Sequence, residues 1–286
     1  MYRIVRNGSG AEVIRRHRAV SRGCPEYLTF PALTATGMVG HLFTTRTGGV
    51  STGDCATMNL SFTRGEDRET VLENYRRICE AMGVEPEDVV ASMQTHTTNI
   101  RHVTEADKGK GVVRPQDYSD IDGLITDEPG VVLACYFADC VPLYFVDPVR
   151  RAIGLAHSGR MGTAQGMGAR MVESMRQTFG SSPADLVAAI GPSICRDCYE
   201  VGEDVAEEFR QKFEDERVLR PGRAAGKYQL DLWLANRLIL LEAGIPEDRI
   251  YVTDICTCHN PEYLFSHRAS HGRRGNLAAF LFIRKS

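Results

Sequence analysis

Apolar residues along this chain fall into two kinds of pattern. Some recur every three to four positions, as on one face of a helix. Others run almost unbroken for six or seven, as in strands covered on both faces. The clearest helix is predicted over 66–82, where Val71, Leu72, Tyr75, Ile78, Cys79 and Met82 make one stripe. Acidic residues crowd its start and Gly83 stops it. A second helix is predicted over 160–179, with Met167, Met171, Met175 and Phe179 spaced by four, a stripe that reads as core packing. Two more are predicted over 203–213 and 228–243, the latter with Leu234, Leu238 and Leu241 inward and Gly244 as its stop.

Strands are predicted over 39–45, 131–137, 141–146, 152–156 and 185–190, with 250–255 and 277–283 closing the chain. Shorter extended pieces fall at 2–5, 27–30, 58–62, 89–94, 100–103 and 120–126. Strands alternating with helices imply an α/β, mixed α+β chain organised as a single domain: a large mixed β-sheet flanked by helices. There is no internal repeat, low-complexity tract or proline-rich linker, and the Gly/Ala-rich piece 221–226 reads as a surface loop.

The chain has 286 residues, 43% hydrophobic and 25% charged, enough for a sizeable core. Its net charge of -3 and pI near 6.3 leave no basic footprint for nucleic acid and no cationic cluster for a membrane surface. The longest apolar run, 131–138, is far shorter than the roughly 18 residues of a membrane span. The N-terminus lacks the apolar stretch of a signal peptide. Nine cysteines, an odd number, suit a reducing, cytoplasmic setting better than a disulfide framework.

The candidate chemistry lies around 137–162. One predicted strand ends at Asp139-Cys140, and another ends at His157 and breaks into a glycine-rich turn. Gln94-Thr95-His96 closes a third segment. His96 and Cys140 are 44 positions apart and Cys140 and His157 are 17 apart (140 − 96 and 157 − 140). Ligands that far apart suit a catalytic metal site, with three protein ligands and one open position, better than a closed structural site. The same residues suit a thiol nucleophile, Cys140, with His157 or His96 as base and Asp139 nearby. Cys195-Arg-Asp-Cys198 and Cys256-Thr-Cys258-His259 form a competing cluster that could make a second Cys/His zinc site. The glycines after His157 match neither a dinucleotide fingerprint nor a Walker loop. A helix starting near Gly159 could receive an anion such as phosphate, with Arg160 helping.

Several segments, taken together and in order, resemble one family. They are Thr-Thr-Arg-Thr-Gly-Gly-Val-Ser, Met-Asn-Leu, Gln-Thr-His, Asp-Gly-Leu-Ile-Thr, Ala-Asp-Cys-Val-Pro-Leu, Ala-His-Ser-Gly, Ala-Ile-Gly-Pro-Ser-Ile and Cys-Tyr-Glu-Val-Gly. This order is similar to the laccase-type multicopper polyphenol oxidases, now described as purine nucleoside phosphorylases, which include the peptidoglycan editing factor. The resemblance runs from about residue 40 to the C-terminus. It implies the cysteine-hydrolase-like fold of that family and zinc held by His96, Cys140 and His157. It also implies phosphorolysis of adenosine, inosine and methylthioadenosine, together with adenosine deaminase activity. The family continues His-Ala-Gly-Trp-Arg-Gly, whereas this chain reads His157-Ser-Gly-Arg160-Met-Gly162. The tryptophan is absent and the arginine sits one place earlier.

On this basis, 1–36 is expected to be a strand-rich extension of the same domain and 37–286 the catalytic domain. His96, Cys140 and His157 are the expected metal-binding and catalytic residues. Arg46 is the expected phosphate ligand, because a guanidinium fork fits an oxyanion at two points; Arg160 is the second candidate. Asn59 and Gln94 are expected to bind sugar or base. Zinc is expected rather than copper, since a laccase needs several coppers and more paired histidines than eight can supply. The partners expected are a nucleoside and phosphate, with the oligomeric state left open. Three other readings are a peptidoglycan-editing hydrolase with Cys140 as nucleophile, a polyphenol oxidase with a single copper at the one cysteine and two histidines, and a zinc-stabilised binding protein without turnover.

Overall fold

The long apolar runs become strands whose alternate residues enter different cores. In Val132–Phe137, Leu133, Cys135 and Phe137 face one core while Val132 and Ala134 face another. Leu277–Ile283 divides the same way, odd positions against even. Val141–Asp147 separates Tyr144 and Val146 from Val141, Leu143 and Phe145. A strand of period two with no polar face must be covered twice. The computed structural model, which describes residues 2–8 and 13–285, shows how.

The chain forms one mixed α+β domain in which the expected large mixed sheet is divided into two sheets of six strands. The first runs Arg15–Arg18, Glu26–Thr29, Val39–Thr44, Leu277–Ile283, Val132–Phe137, Val89–Ala91, antiparallel except for its last pair. The second runs Ile250–Val252, Val187–Ile190, Val141–Asp147, Ala152–Ser158, Gly123–Thr126, Ile100–His102, antiparallel at its centre and parallel at both edges. The sheets face each other across a shared core that includes Phe43, Leu133, Phe137, Tyr144, Leu155 and Leu281. Helix Arg68–Met82 covers the outer face of the first sheet through Val71, Tyr75, Ile78 and Cys79. Helices Met167–Phe179, Glu203–Lys212 and Leu232–Glu242 cover the outer face of the second. The methionine stripe is core, with Met167, Met171 and Met175 fully buried.

Several elements differ from the pattern-based expectation. The helix expected over 160–179 is two, Arg160–Ala164 and Met167–Phe179. They are separated at Gly166, whose φ of +77° needs glycine's freedom. The helix expected from 228 begins at Leu232, because Lys227–Leu230 pairs as a strand with Glu200–Gly202 and Leu219–Pro221. Asp231 then caps it, its carboxylate accepting from the Leu234 N–H at 3.0 Å. No strand forms over 58–62. There Asn59 competes for the backbone, its amide oxygen accepting from Ser61 N–H and its amide nitrogen donating to Ser61 O. Nor does one form over 2–5; the neighbouring Arg6 makes an isolated bridge, to Ile255. Met1 and Ser286, the outer limits of the two expected segments, lie outside the described residues. No helix among the described residues is long and apolar enough to cross a membrane.

The chain repeatedly passes between the two sheets at one end of the molecule. Residues 92–99 connect Val89–Ala91 to Ile100–His102, residues 138–140 connect Val132–Phe137 to Val141–Asp147, and residues 253–276 connect Ile250–Val252 to Leu277–Ile283. The register places Val141 opposite Ser158, and Phe137 opposite Leu277, at that same end. His96, Cys140 and His157 all lie there, on two crossings and one strand end.

Candidate active site

His96, Cys140 and His157 converge, their ligand atoms lying within 4.8 Å of one another. The two imidazole rings meet edge to face with centroids 5.0 Å apart. His157 is buried, Cys140 half-buried and His96 exposed, so the cluster opens to one side.

Asp122 organises this group. Its carboxylate is fully buried and accepts from the backbone N–H groups of Thr95, His96 and Thr97 at 3.0, 3.2 and 3.0 Å. It also accepts from Thr97 Oγ1 at 3.1 Å and pairs with His157 Nδ1 at 2.8 Å. Three consecutive N–H groups form a nest around one oxyanion, which holds His96 in the left-handed region at φ +67°. With Nδ1 committed to Asp122, Nε2 is the nitrogen His157 can offer a ligand. Burial works against a charged Asp122, but the His157 bond and charge and the N–H donors of Thr95 and Thr97 hold its pKa down.

Asp139 sets the approach to Cys140. It is left-handed at φ +90°. Its carboxylate accepts from Thr257 Oγ1 at 2.6 Å and from Arg268 N–H at 2.7 Å, while its carbonyl accepts from Ile194 N–H at 3.0 Å. Gly159 leaves the space Cys140 needs. A Cβ there would lie 2.9 Å from Cys140 Sγ and 3.2 Å from His96 Cδ2.

Burial works against a charged thiol, yet the charge and hydrogen bonding of His157, joined by His96, hold the Cys140 pKa down at about 6. Burial likewise works against a charged His157, and Cys140 and Asp122 push its pKa up to about 9. Cys140 is therefore a thiolate near neutral pH, the form in which cysteine binds metal or acts as a nucleophile. One soft thiolate and two imidazoles, with a carboxylate behind one of them, form a donor set that fits zinc.

The trio lines a cavity of about 390 Å³, within the span of roughly 300–1,000 Å³ for small-molecule sites. Phe62, Met93 and Tyr136 supply apolar walls, Gln94 and Gln116 polar ones, and Arg64 and Arg274 positive charge. Arg274 is half-buried, its NH1 bonds Asn276 Oδ1 and Gly275 O, and its Nε has no hydrogen-bond partner. Burial and the charge of Arg64 lower its pKa to about 10, so it remains a cation at neutral pH.

Of the expected substrate-binding residues, only Gln94 lines this cavity. Its amide is engaged with the Tyr136 backbone, accepting from N–H at 2.6 Å and donating to the carbonyl at 2.8 Å. Asn59 is fully buried and braces the 59–66 loop through Ser61 and Glu66, while accepting from Asn276 N–H. Arg46 lies on the Phe265 ring and donates to the carbonyls of Ala56 and Pro261. It lines a separate hollow of about 700 Å³ with Arg18, Cys24 and Glu262. That hollow is larger, but it contains none of the trio, so the chemistry belongs in the smaller cavity. Arg160 begins helix Arg160–Ala164 and turns to Glu208 at 2.7 Å, away from the cavity. Asp122, Arg64 and Arg274 are not among the residues expected from the sequence. Asp122 precedes the Gly-Leu-Ile-Thr strand and was visible as a residue, but nothing local marked it as the partner of His157.

Comparisons with known proteins bear on this geometry. Residues 40–284 match the model of a family described as multi-copper polyphenol oxidoreductase laccase. The purine nucleoside phosphorylase YlmD of Geobacillus stearothermophilus is 42% identical over 244 residues, covering 83% of this chain and 88% of that protein. A purine nucleoside phosphorylase of Bacteroides thetaiotaomicron is 34% identical over 260 residues, covering 90% and 96%. Among solved structures, YlmD from Geobacillus stearothermophilus superposes with a TM-score of 0.86 at 37% identity, covering 96% of this chain and 99% of that one. YfiH from Bacillus licheniformis gives 0.86 at 35% identity, covering 91% and 97%. By sequence and by fold, this chain belongs to the multi-copper polyphenol oxidoreductase laccase family, among relatives named as purine nucleoside phosphorylases.

Proposed function

We propose that the chain is a purine nucleoside phosphorylase, using the His96–Cys140–His157 cavity and taking adenosine, inosine or methylthioadenosine. The observation that carries this reading is the meeting of a metal-ligand trio and two arginines in one small-molecule cavity. Relatives named for this activity support it.

Arg274 and Arg64 are the phosphate site. Two neighbouring guanidinium groups repel each other, and an oxyanion between them relieves that repulsion and offers two-point contacts. The unpartnered Nε of Arg274 is one donor already in place. Phe62, Met93 and Tyr136 form the apolar surface for the purine, and Gln116 faces it with an amide. Phosphorolysis forms a bond from a phosphate oxygen to C1′ as the C1′–N9 bond breaks. The purine leaves with the electron pair and takes up a proton that dihydrogen phosphate can release.

His96, Cys140 and His157 would hold zinc, with Asp122 fixing a proton on His157 Nδ1 so that Nε2 is the nitrogen offered to it. When bound, zinc supplies Lewis acidity and a water of lowered pKa, which suits removal of the purine 6-amino group as well. Asp122 and Asp139 keep the three ligands in place, the first by gripping the 95–97 turn and the second by fixing the backbone before Cys140.

The test is release of hypoxanthine from inosine, followed chromatographically with and without phosphate, before and after metal removal. Phosphate-dependent release lost on Cys140→Ala, together with a raised KM for phosphate in Arg274→Ala, is the expected result. Release indifferent to Cys140→Ala overturns the site, and full activity of metal-free protein points instead to Cys140 as a nucleophile.

A further inference from the structure

A second group of ligand atoms takes no part in the reaction proposed above. Cys195, Cys198, Cys256 and His259 place three sulfurs and a ring nitrogen within 4.8 Å of one another. Bonds of roughly 2.3 Å to sulfur and 2.0–2.1 Å to nitrogen set donors about 3.5–3.8 Å apart around a tetrahedral ion. Cys195 Sγ and His259 Nδ1 are 3.8 Å apart. Cys195 caps and Cys198 ends a single helical turn, Arg196–Cys198, which spaces them at the two-residue interval of a zinc knuckle. The Cys195 N–H points at Cys256 Sγ, 3.3 Å away, as backbone donors do around metal thiolates. No disulfide occupies these sulfurs. Cys258, grouped with them on sequence grounds, is not one of the four; its thiol reaches Ser266 and Cys198 instead.

We propose that Cys195, Cys198, Cys256 and His259 bind one zinc ion in a closed, tetrahedral, structural site. It fastens the 193–199 loop to the 253–260 loop. All four positions go to protein atoms, leaving none for water or substrate, so this ion holds structure and does no chemistry. The fastened loops already touch, through the Ser193–Cys256 bridge and a Thr257 N–H bond to Ser193 O. Both loops also grip Asp139, Ile194 at its carbonyl and Thr257 at its carboxylate. The second ion therefore stabilises the left-handed backbone that presents Cys140. Two buried thiols, Cys195 and Cys256, anchor the site, while the exposed His259 closes it from the surface and gives the ion a way in.

The experiment measures metal content on purified full-length protein, independently of what the first cavity catalyses. Elemental analysis of Cys198→Ser, prepared beside wild type in zinc-containing medium, is expected to show one zinc equivalent fewer per chain. Cobalt added to metal-free His157→Ala, which keeps the second cluster, is expected to give a thiolate-to-cobalt charge-transfer band and tetrahedral ligand-field bands. Adding Cys198→Ser to that background removes them. If Cys198→Ser does not fold, His259→Ala, altered only at the surface, is expected to release the same equivalent to a chelator faster than wild type. Unchanged zinc content in Cys198→Ser, no charge-transfer band in His157→Ala, or unchanged release from His259→Ala overturns the proposal. So does a disulfide between Cys195 and either Cys198 or Cys256 in protein purified without oxidant.

Discussion

Asp122→Asn changes one atom of the site and tests most of the reasoning about it. Asp122 Oδ2 receives three donors, the N–H groups of Thr95 and Thr97 and the Thr97 hydroxyl. Oδ1 receives two, the His96 N–H and His157 Nδ1. An asparagine must put its carbonyl oxygen on one side and its NH2 on the other. The Oδ2 side holds two backbone donors that cannot reverse, so the oxygen belongs there. The NH2 then faces His96 N–H, a repulsive contact, and His157 Nδ1, which accommodates it by becoming the acceptor. That tautomer carries its proton on Nε2, the nitrogen meant for the metal. Losing such an outer partner weakens metal binding by about 10–100-fold, or roughly 1.4–2.7 kcal/mol. The unpaired His96 N–H costs the metal-free fold about 1–3 kcal/mol more. Asp122→Ala goes further, leaving all five donors without the buried carboxylate, and is expected to cost about 3–5 kcal/mol. A competitive titration against a chromogenic zinc chelator, with thermal unfolding of metal-free protein beside it, separates the two effects. Wild-type zinc affinity in a folded Asp122→Asn variant would refute the tautomer argument and remove Asp122 from the site.

Gly159→Ala keeps an allowed backbone but puts a methyl 2.9 Å from Cys140 Sγ. It is expected to lower zinc affinity in the same titration while leaving the melting temperature of metal-free protein close to wild type. Arg274→Ala and Arg46→Ala are expected to part company in phosphate kinetics. The first raises KM for phosphate, whereas the second, which packs on Phe265 and holds the carbonyls of Ala56 and Pro261, lowers thermal stability without a KM effect. Burial opposes a charged Asp107, but Lys110, the Thr104 N–H and Arg101 bring its pKa down to about 2. A carboxylate depressed from 3.8 to about 2 contributes about 2 kcal/mol above its unfolded pKa, lost as pH falls through its folded pKa. Asp107→Asn is therefore expected to cost about that much at pH 7 and little near pH 2, read by denaturant unfolding at both.

The sequence by itself determined the elements that depend on local periodicity and end signals. The 68–82 helix, the Val132–Phe137, Val141–Asp147 and Leu277–Ile283 strands, and the methionine stripe as core were all legible, because burial imposes its spacing on neighbouring residues. The types and positions of His96, Cys140 and His157 were legible too, since each stands at the end of an apolar segment. What failed locally did so where a non-local partner intervened: strand pairing took 227–230 from a predicted helix, and the Asn59 side chain took 58–62 from a predicted strand. Only the tertiary structure decided that the strands form two facing sheets, and that two crossings between them and one strand end bring three distant candidate ligands together. It also decided which polar residues line the cavity. Arg46 and Asn59 in loops and Arg160 at a helix start hold suggestive places, yet their side chains are drawn to carbonyls, Glu66 and Glu208, while Arg64 and Arg274, in unremarked loops, line the cavity. Asp122 is the sharpest case. Its role arises from a nest of backbone donors and an imidazole 35 residues away, and no local pattern encodes a hydrogen bond of that reach.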